Sequence, residues 1–389
     1  MTSGGVLRSV FKIGVPMVAA ALALSACGGT SGGDNNAGGS GSGGKACDLK
    51  IGFFGALTGD AANLGINIKN GAELAVNQYN EKNANCKVTL TSFDSQGDPA
   101  IAPGLAQKAV TDKKLIGIVG PAFSGESKAA DPIFDSAGLN TISASATNPA
   151  LADNGWKTFH RVLGNDATQG PAAAKYIKDV LKAQKVFVSD DTSEYGKGLS
   201  DIVKKDLGSL VAGTDQTAAD GKQDDFSATV TKAKASGATV FFYGGYYSNA
   251  GKLVKQLKDG GFTGTFVAAD GVKDDGFIKG AGAASEGSIL TCPCLPPDKA
   301  PEFAEAYKKA YNTDPATYSA EAYDAANVFL DAIAAGKTDW KDVTEFIKTY
   351  DKQGVTKKIK FDDKGEPAEV SVWAYKVQDG KIVPDQEIK

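Results

Sequence analysis

Residues 49–93 read LKIGFFGALTGDAANLGINIKNGAELAVNQYNEKNANCKVTLTSF, and the order of their apolar residues sets the architecture. Leu49, Ile51, Phe53 and Phe54 crowd into a short run of strand length. Leu64, Ile68, Ala72, Ala75 and Tyr79 then recur at spacings of three and four, the period of one helix face. A second β-rich run, 87–93, follows. A strand, a long amphipathic helix and another strand form a unit whose strands lie parallel with a right-handed crossover.

The pattern repeats along the chain. Further strands are expected at 115–120, 139–143, 185–189, 210–215, 238–243, 264–268 and 287–291. Most are apolar on successive residues, as for strands covered on both faces. Phe226, Val230 and Ala233 give another helix face. So many strands exceed one comfortable open sheet, and the series reads as two α/β halves, the second beginning near Asp166. After Cys294 three helices are expected (301–312, 316–335 and 339–351), then a β-rich tail over 359–383. Helices without intervening strands must cover an existing sheet, so the chain returns to the first half before finishing on the second.

Upstream, a basic start (Arg8, Lys12) and an apolar stretch over 13–24 have the proportions of a secretory signal. The stretch is too short to span a bilayer, which takes about 20 apolar residues. Leu24-Ser25-Ala26-Cys27 resembles a bacterial lipoprotein cleavage site, which implies a lipid on Cys27 and an extracytoplasmic protein anchored to the cell membrane. Residues 28–44, rich in Gly and Ser, make a flexible tether with a reach of roughly 20 to 25 Å.

Composition removes several functions. The chain has 389 residues, 42% hydrophobic and 23% charged, with net charge −4, so it lacks the basic footprint of a nucleic-acid binder. Its single histidine, His160, rules out most catalytic triads and metal clusters, and no metal or cofactor is expected. Ser124 does not sit in a Gly-x-Ser-x-Gly elbow. Gly52, Gly55 and Gly59 do not match Gly-x-Gly-x-x-Gly, and there is no Walker lysine. Cys47 and Cys86 each precede one of the first two strands, which places them within disulfide reach if those strands are adjacent. Closing that loop stabilises by roughly 4 kcal/mol in the chain-entropy model. Cys292 and Cys294 form either a tight disulfide or two free thiols.

What remains is polar and aromatic residues at strand ends, where open α/β sheets place ligands. Ser124 follows the third strand; Ser145 and Thr147 follow the fourth. Helix-start N–H groups joined by hydroxyls hold an anion without a formal cation. In the second half, Tyr195, Tyr246 and Asp270 each follow a strand, and an acid with aromatic faces suits an ammonium group. Phe123 and Ala146, beside the serines, are counted with the site. His160 and Arg161 are expected to brace the passage between halves.

These same positions resemble a known family. Gly55-Ala56-Leu57-Thr58-Gly59, Asp94-Ser95-Gln96-Gly97-Asp98-Pro99, ISASATNP over 142–149, Gln169-Gly170-Pro171, Tyr195-Gly196-Lys197-Gly198, Tyr243-Gly244-Gly245-Tyr246 and Asp270-Gly271-Val272 follow the order seen in leucine/isoleucine/valine-binding proteins, the type I solute receptors of ABC importers. The resemblance implies two doubly wound parallel-sheet lobes joined by three crossovers, with lobe 1 at 48–164 and 293–367 and lobe 2 at 165–292 and 368–389. It implies a monomer that closes on an aliphatic L-amino acid and passes it to a permease, with no bond made or broken. Ser124, Ser145 and Thr147 then contact the α-carboxylate, Tyr195 and Tyr246 form cleft walls, and Asp270 pairs with the α-ammonium. Leu64 stands where an aromatic is common in the family, and Asp270 where a longer Glu is common. The alternative is a receptor for short amides, urea or another small polar solute.

Overall fold

The computed structural model describes residues 47–219 and 223–389; the signal segment, Cys27 and the tether up to residue 46 lie outside the described residues. β1 (Leu49–Gly55), α1 (Ala62–Lys82), β2 (Val88–Asp94), α2 (Ala102–Thr111), β3 (Leu115–Val119), α3 (Ser124–Ala137), β4 (Thr141–Ser143) and β5 (Phe159–Arg161) come first. Their strands form a parallel sheet of order β2-β1-β3-β4-β5.

The chain then builds α4 (Asp166–Asp179), β6 (Val186–Asp190), α5 (Glu194–Leu207), β7 (Val211–Gln216), α6 (Ser227–Ser236), β8 (Val240–Gly244), α7 (Tyr247–Asp259), β9 (Thr265–Ala268), α8 (Asp275–Ala281) and β10 (Ile289–Cys292). These strands run β7-β6-β8-β9-β10, again parallel. Both sheets therefore share one winding: the first strand lies second, and order reverses between it and the third. Such a reversal opens a crevice at the carboxyl ends of the strands.

The remainder crosses back and forth. α9 (Pro301–Tyr311), α10 (Ser319–Ala334) and α11 (Trp340–Lys348) are followed by a hairpin of β11 (Asp351–Gln353) and β12 (Lys358–Lys360). α10 packs on the first sheet, with Phe329 in the same core as Ile51, Phe53 and Ile116. β13 (Trp373–Gln378) and β14 (Lys381–Glu387) then add to the second sheet antiparallel, beside β10. The chain thus passes between the sheets three times: after β5, after β10 and before β13.

The expected strands all form; β5 and the β11–β12 hairpin were not anticipated, and the hairpin cuts short the helix expected over 339–351. Burial on both faces explains the apolar runs. Phe53 packs under α1 and α10, whereas its neighbour Phe54 joins Ala102, Ala106, Ala130 and Phe134 from α2 and α3 on the other face. α1 approaches closely at Gly71, where a Cβ would collide with the Ser319 carbonyl of α10.

Candidate functional site

The loops at the carboxyl ends of both sheets face one another across a narrow gap. The first sheet and its helices contribute Leu64 and Ile68 of α1, Ala122 to Ser124 at the start of α3, Ser145 beyond β4, and Tyr318 just before α10. The second contributes Tyr195 at the start of α5, Tyr246 before α7, and Asp270 with Gly271 beyond β9. Of the residues singled out from sequence, Leu64, Phe123, Ser124, Ser145, Tyr195, Tyr246 and Asp270 meet here.

On the first side the donors are neutral. Ser124 Oγ accepts the Asn148 N–H at 3.2 Å, so its proton is free, and the first-turn N–H groups of α3 have no intrahelical acceptor. Ser145 does a different job: its hydroxyl donates to the Ala122 carbonyl at 2.6 Å, while Ser143 Oγ donates to the Pro121 carbonyl at 2.7 Å. Together they stitch the β4 loop to the β3 loop. Behind them Glu126 is buried, bonded by the Ser95 hydroxyl, and burial pushes its carboxyl up to about 8.

Two residues depart from expectation. Ala146 does not reach the gap: its methyl packs with Leu151, Ala152 and Phe159, its N–H bonds Ser143 Oγ at 3.0 Å, and its carbonyl accepts from Arg161 at 2.8 Å. Every polar group it owns is spent inside the protein. Thr147 is also off the gap wall and fully buried, with its hydroxyl in no hydrogen bond of ordinary geometry.

The opposite side is acidic and aromatic. Asp270 is 3% exposed; Tyr195 donates to its Oδ1 at 2.8 Å, and Tyr318 donates to its Oδ2 at 2.8 Å. Burial raises the Asp270 carboxyl, and the hydrogen bonds from Tyr195, Tyr318 and Gln169 oppose that rise. Burial also drives Tyr195, Tyr246 and Tyr318 well above the ordinary phenol range, so all three act as neutral donors. Tyr246 packs against Tyr195 at 5.1 Å and, across the gap, edge-on to Phe123 at 5.5 Å.

Sequence reasoning missed Tyr318, whose donor comes from the first side onto an acid of the second. Its backbone lies at φ +67°, the left-handed region, immediately ahead of α10. Nothing local marks an aromatic before a helix as a cleft residue. Further contacts hold the sides together: Asn63 Nδ2 donates to Asp274 at 2.9 Å, Lys128 pairs with Glu194 at 2.8 Å, and Lys273 Nζ bonds Thr317 Oγ1 at 3.2 Å.

His160 and Arg161 lie away from the gap. Arg161 Nε bonds Glu366 at 2.9 Å, and its NH1 holds the Ala146 and Asn148 carbonyls at 2.8 and 3.0 Å. His160 packs on Phe361 at 5.0 Å, and burial lowers it to about 4. Both thus tie the first passage between sheets to the third. Cys47 bonds Cys86 and Cys292 bonds Cys294, the latter pair at the second passage. Among the described residues no group of three or more His, Cys, Asp or Glu could hold a metal, and no helix is long and apolar enough to cross a membrane.

Neutral donors on one wall, an acid with aromatic neighbours on the other, and three strands of chain between them define a two-lobed receptor for a small molecule. The chain belongs to the periplasmic binding protein family, whose model matches residues 48–381. Such a protein works outside the cytoplasm, where structural disulfides persist. The chain is 32% identical over 329 residues to the leucine-, isoleucine-, valine-, threonine- and alanine-binding protein of Pseudomonas aeruginosa, covering 82% of this chain and 87% of that one. It is similar in structure to a branched-chain amino acid transporter substrate-binding protein of Streptococcus pneumoniae in complex with isoleucine: TM-score 0.81, 28% identity, covering 88% of this chain and 99% of that one. A solute binding protein of R. palustris in complex with 4-hydroxybenzoate shares the fold at TM-score 0.76 and 21% identity, covering 87% of this chain and 95% of that one.

Proposed function

We propose that this chain captures an aliphatic, branched-chain L-amino acid between its lobes and hands it to an ABC permease, held at the membrane by a lipid on Cys27. The observation that carries the reading is the polarity of the gap. Ser124 and the start of α3 offer uncharged donors for a carboxylate, and Asp270 faces them with a negative charge for an ammonium. Leu64, Ile68 and Phe123 supply an apolar wall for an aliphatic tail. Relatives that bind leucine, isoleucine or valine support the ligand class. In this reading lobe 1 comprises 48–164 and 293–367, lobe 2 comprises 165–292 and 368–389, and the protein acts as a monomer without a catalytic step.

Isothermal titration calorimetry tests it. Leucine, isoleucine or valine should bind near micromolar, which corresponds to about −8 kcal/mol. Asp270→Ala should abolish that binding. Heat with acetamide, urea or benzoate, and none with the three amino acids, overturns the assignment. Cys27→Ala should release the protein from the membrane fraction.

A further inference from the structure

Each of the three passages between the sheets is pinned at both ends, and few residues lie between the pins. On the first, Val162 donates its N–H to the Ser143 carbonyl of β4 at 3.1 Å and accepts from Lys357 Nζ at 2.8 Å, while Asn165 caps α4. Leu163 and Gly164 lie between. On the third, the Ala368 N–H bonds the Lys360 carbonyl of β12 at 2.9 Å, and the Val372 carbonyl accepts from Ile388 at 2.8 Å, which leaves residues 369–371.

The second passage is shorter still. β10 ends at Cys292, which pairs with Trp373 of β13. The Cys294 carbonyl accepts the Tyr375 hydroxyl of β13 at 2.9 Å, and the next N–H, that of Leu295, donates to Glu321 Oε1 of α10 at 2.8 Å. One peptide unit is thus gripped through its oxygen from the second sheet and through its nitrogen from the helix that covers the first. Glu321 is buried, and the cation acting on it is Lys357, the residue that also holds Val162, so the first two passages share an anchor.

Inside this passage Pro293 has its φ fixed by its ring, and the residue before a proline is restricted too. The disulfide closes over it, tying Cys294 back to the last residue of β10, with both cysteines buried. Loop closure stabilises more as the loop lengthens, so a bridge over a sequence separation of 2 adds far less to global stability than Cys47–Cys86 over 39. Its effect is on local geometry. The three passages also touch one another: a Cβ on Gly164 would stand 3.3 Å from the Val370 Cβ and 3.4 Å from the Pro293 Cβ. Any turning of one sheet on the other therefore runs past Pro293.

We infer that the Cys292–Cys294 bridge is a hinge lock: resting on the lobe closure proposed above, it reduces the second passage to a fulcrum of one peptide unit and leaves the bending to Leu163, Gly164 and residues 369–371. A stiff fulcrum limits how far the lobes part when no ligand is bound. Without the lock the ligand-free protein gains wider-open conformations, and apparent affinity falls with the fraction of molecules competent to bind.

Small-angle scattering and leucine calorimetry on the full chain carrying Cys292→Ala and Cys294→Ala together test the lock. The ligand-free radius of gyration should exceed that of the unaltered protein, the radius at saturating leucine should match it, and leucine should bind about ten-fold more weakly. Tyr375→Phe keeps the bridge and the ring but releases the Cys294 carbonyl, and it should enlarge the ligand-free radius in the same direction by less. Cys47→Ala with Cys86→Ala should lower urea stability and leave that radius unchanged. An unchanged ligand-free radius in the Cys292 and Cys294 double variant overturns the lock. So does an equal enlargement on loss of the Cys47–Cys86 bridge, which marks general loosening. Should the Cys292 and Cys294 double variant fail to fold, an unchanged radius in Tyr375→Phe overturns it instead. Ligand-free radii are read without any solute, so an absence of heat with leucine, isoleucine and valine overturns the amino-acid reading alone.

Discussion

Asp270 draws its two donors from opposite lobes, Tyr195 from its own and Tyr318 from the other, so a single carboxylate reports whether the cleft is shut. Tyr318→Phe keeps the ring and deletes one bond to a charged acceptor. Leucine affinity measured by calorimetry should fall about ten-fold. Glu126 carries a pH effect of defined sign. With its folded value about 8, above the ordinary 4.5, the folded protein holds an extra proton between those limits, so its contribution is complete below pH 4.5 and lost as pH climbs to 8. Urea unfolding of Glu126→Gln at pH 5 and pH 8 should show a flatter decline than the unaltered chain over this range. His160 slopes the other way: held near 4, it costs stability as pH drops from 6.5 toward 4. Asp270 was legible in sequence because it follows a strand end with Tyr195 and Tyr246 in like positions, although an acid before Gly271 is by itself an ordinary turn signal. Tyr318 was not, since an aromatic just ahead of a helix carries no local mark of a cleft residue.

Strands and helices form where periodicity placed them, because a doubly covered strand must be apolar on successive residues and an amphipathic helix must repeat near 3.6. β5, with only Phe159, His160 and Arg161, is too short for any periodicity to show, and its pairing with β4 is a tertiary event. Gly71 tells a similar story. In sequence it is a helix-weakening residue, whereas in three dimensions it admits the Ser319 backbone to the surface of α1. Gly71→Ala should cost about 1–3 kcal/mol in urea unfolding, and it should weaken leucine binding as well, because Ser319 adjoins Tyr318. The Cys47–Cys86 bridge spans a separation of 39 residues at the adjacent starts of β1 and β2. Its removal by the double substitution Cys47→Ser and Cys86→Ser should lower unfolding stability by about 4 kcal/mol.

Opening the two lobes requires breaking the Tyr318–Asp270, Asn63–Asp274, Lys128–Glu194 and Lys273–Thr317 contacts while three passages of chain hold the pieces together. The proposed function uses that connectivity for hinge closure around a ligand. Small-angle scattering should show a smaller radius of gyration at saturating leucine than without it. The linear chain was enough to specify two α/β halves, nine of the strands, the exported character of its cysteines and most of the gap lining, because each rests on local period or on residue type at a strand end. Folding in space was needed to bring Tyr318 across to Asp270 and to turn Ala146 away. Those facts depend on which distant backbone approaches which side chain, and no spacing along a chain encodes that.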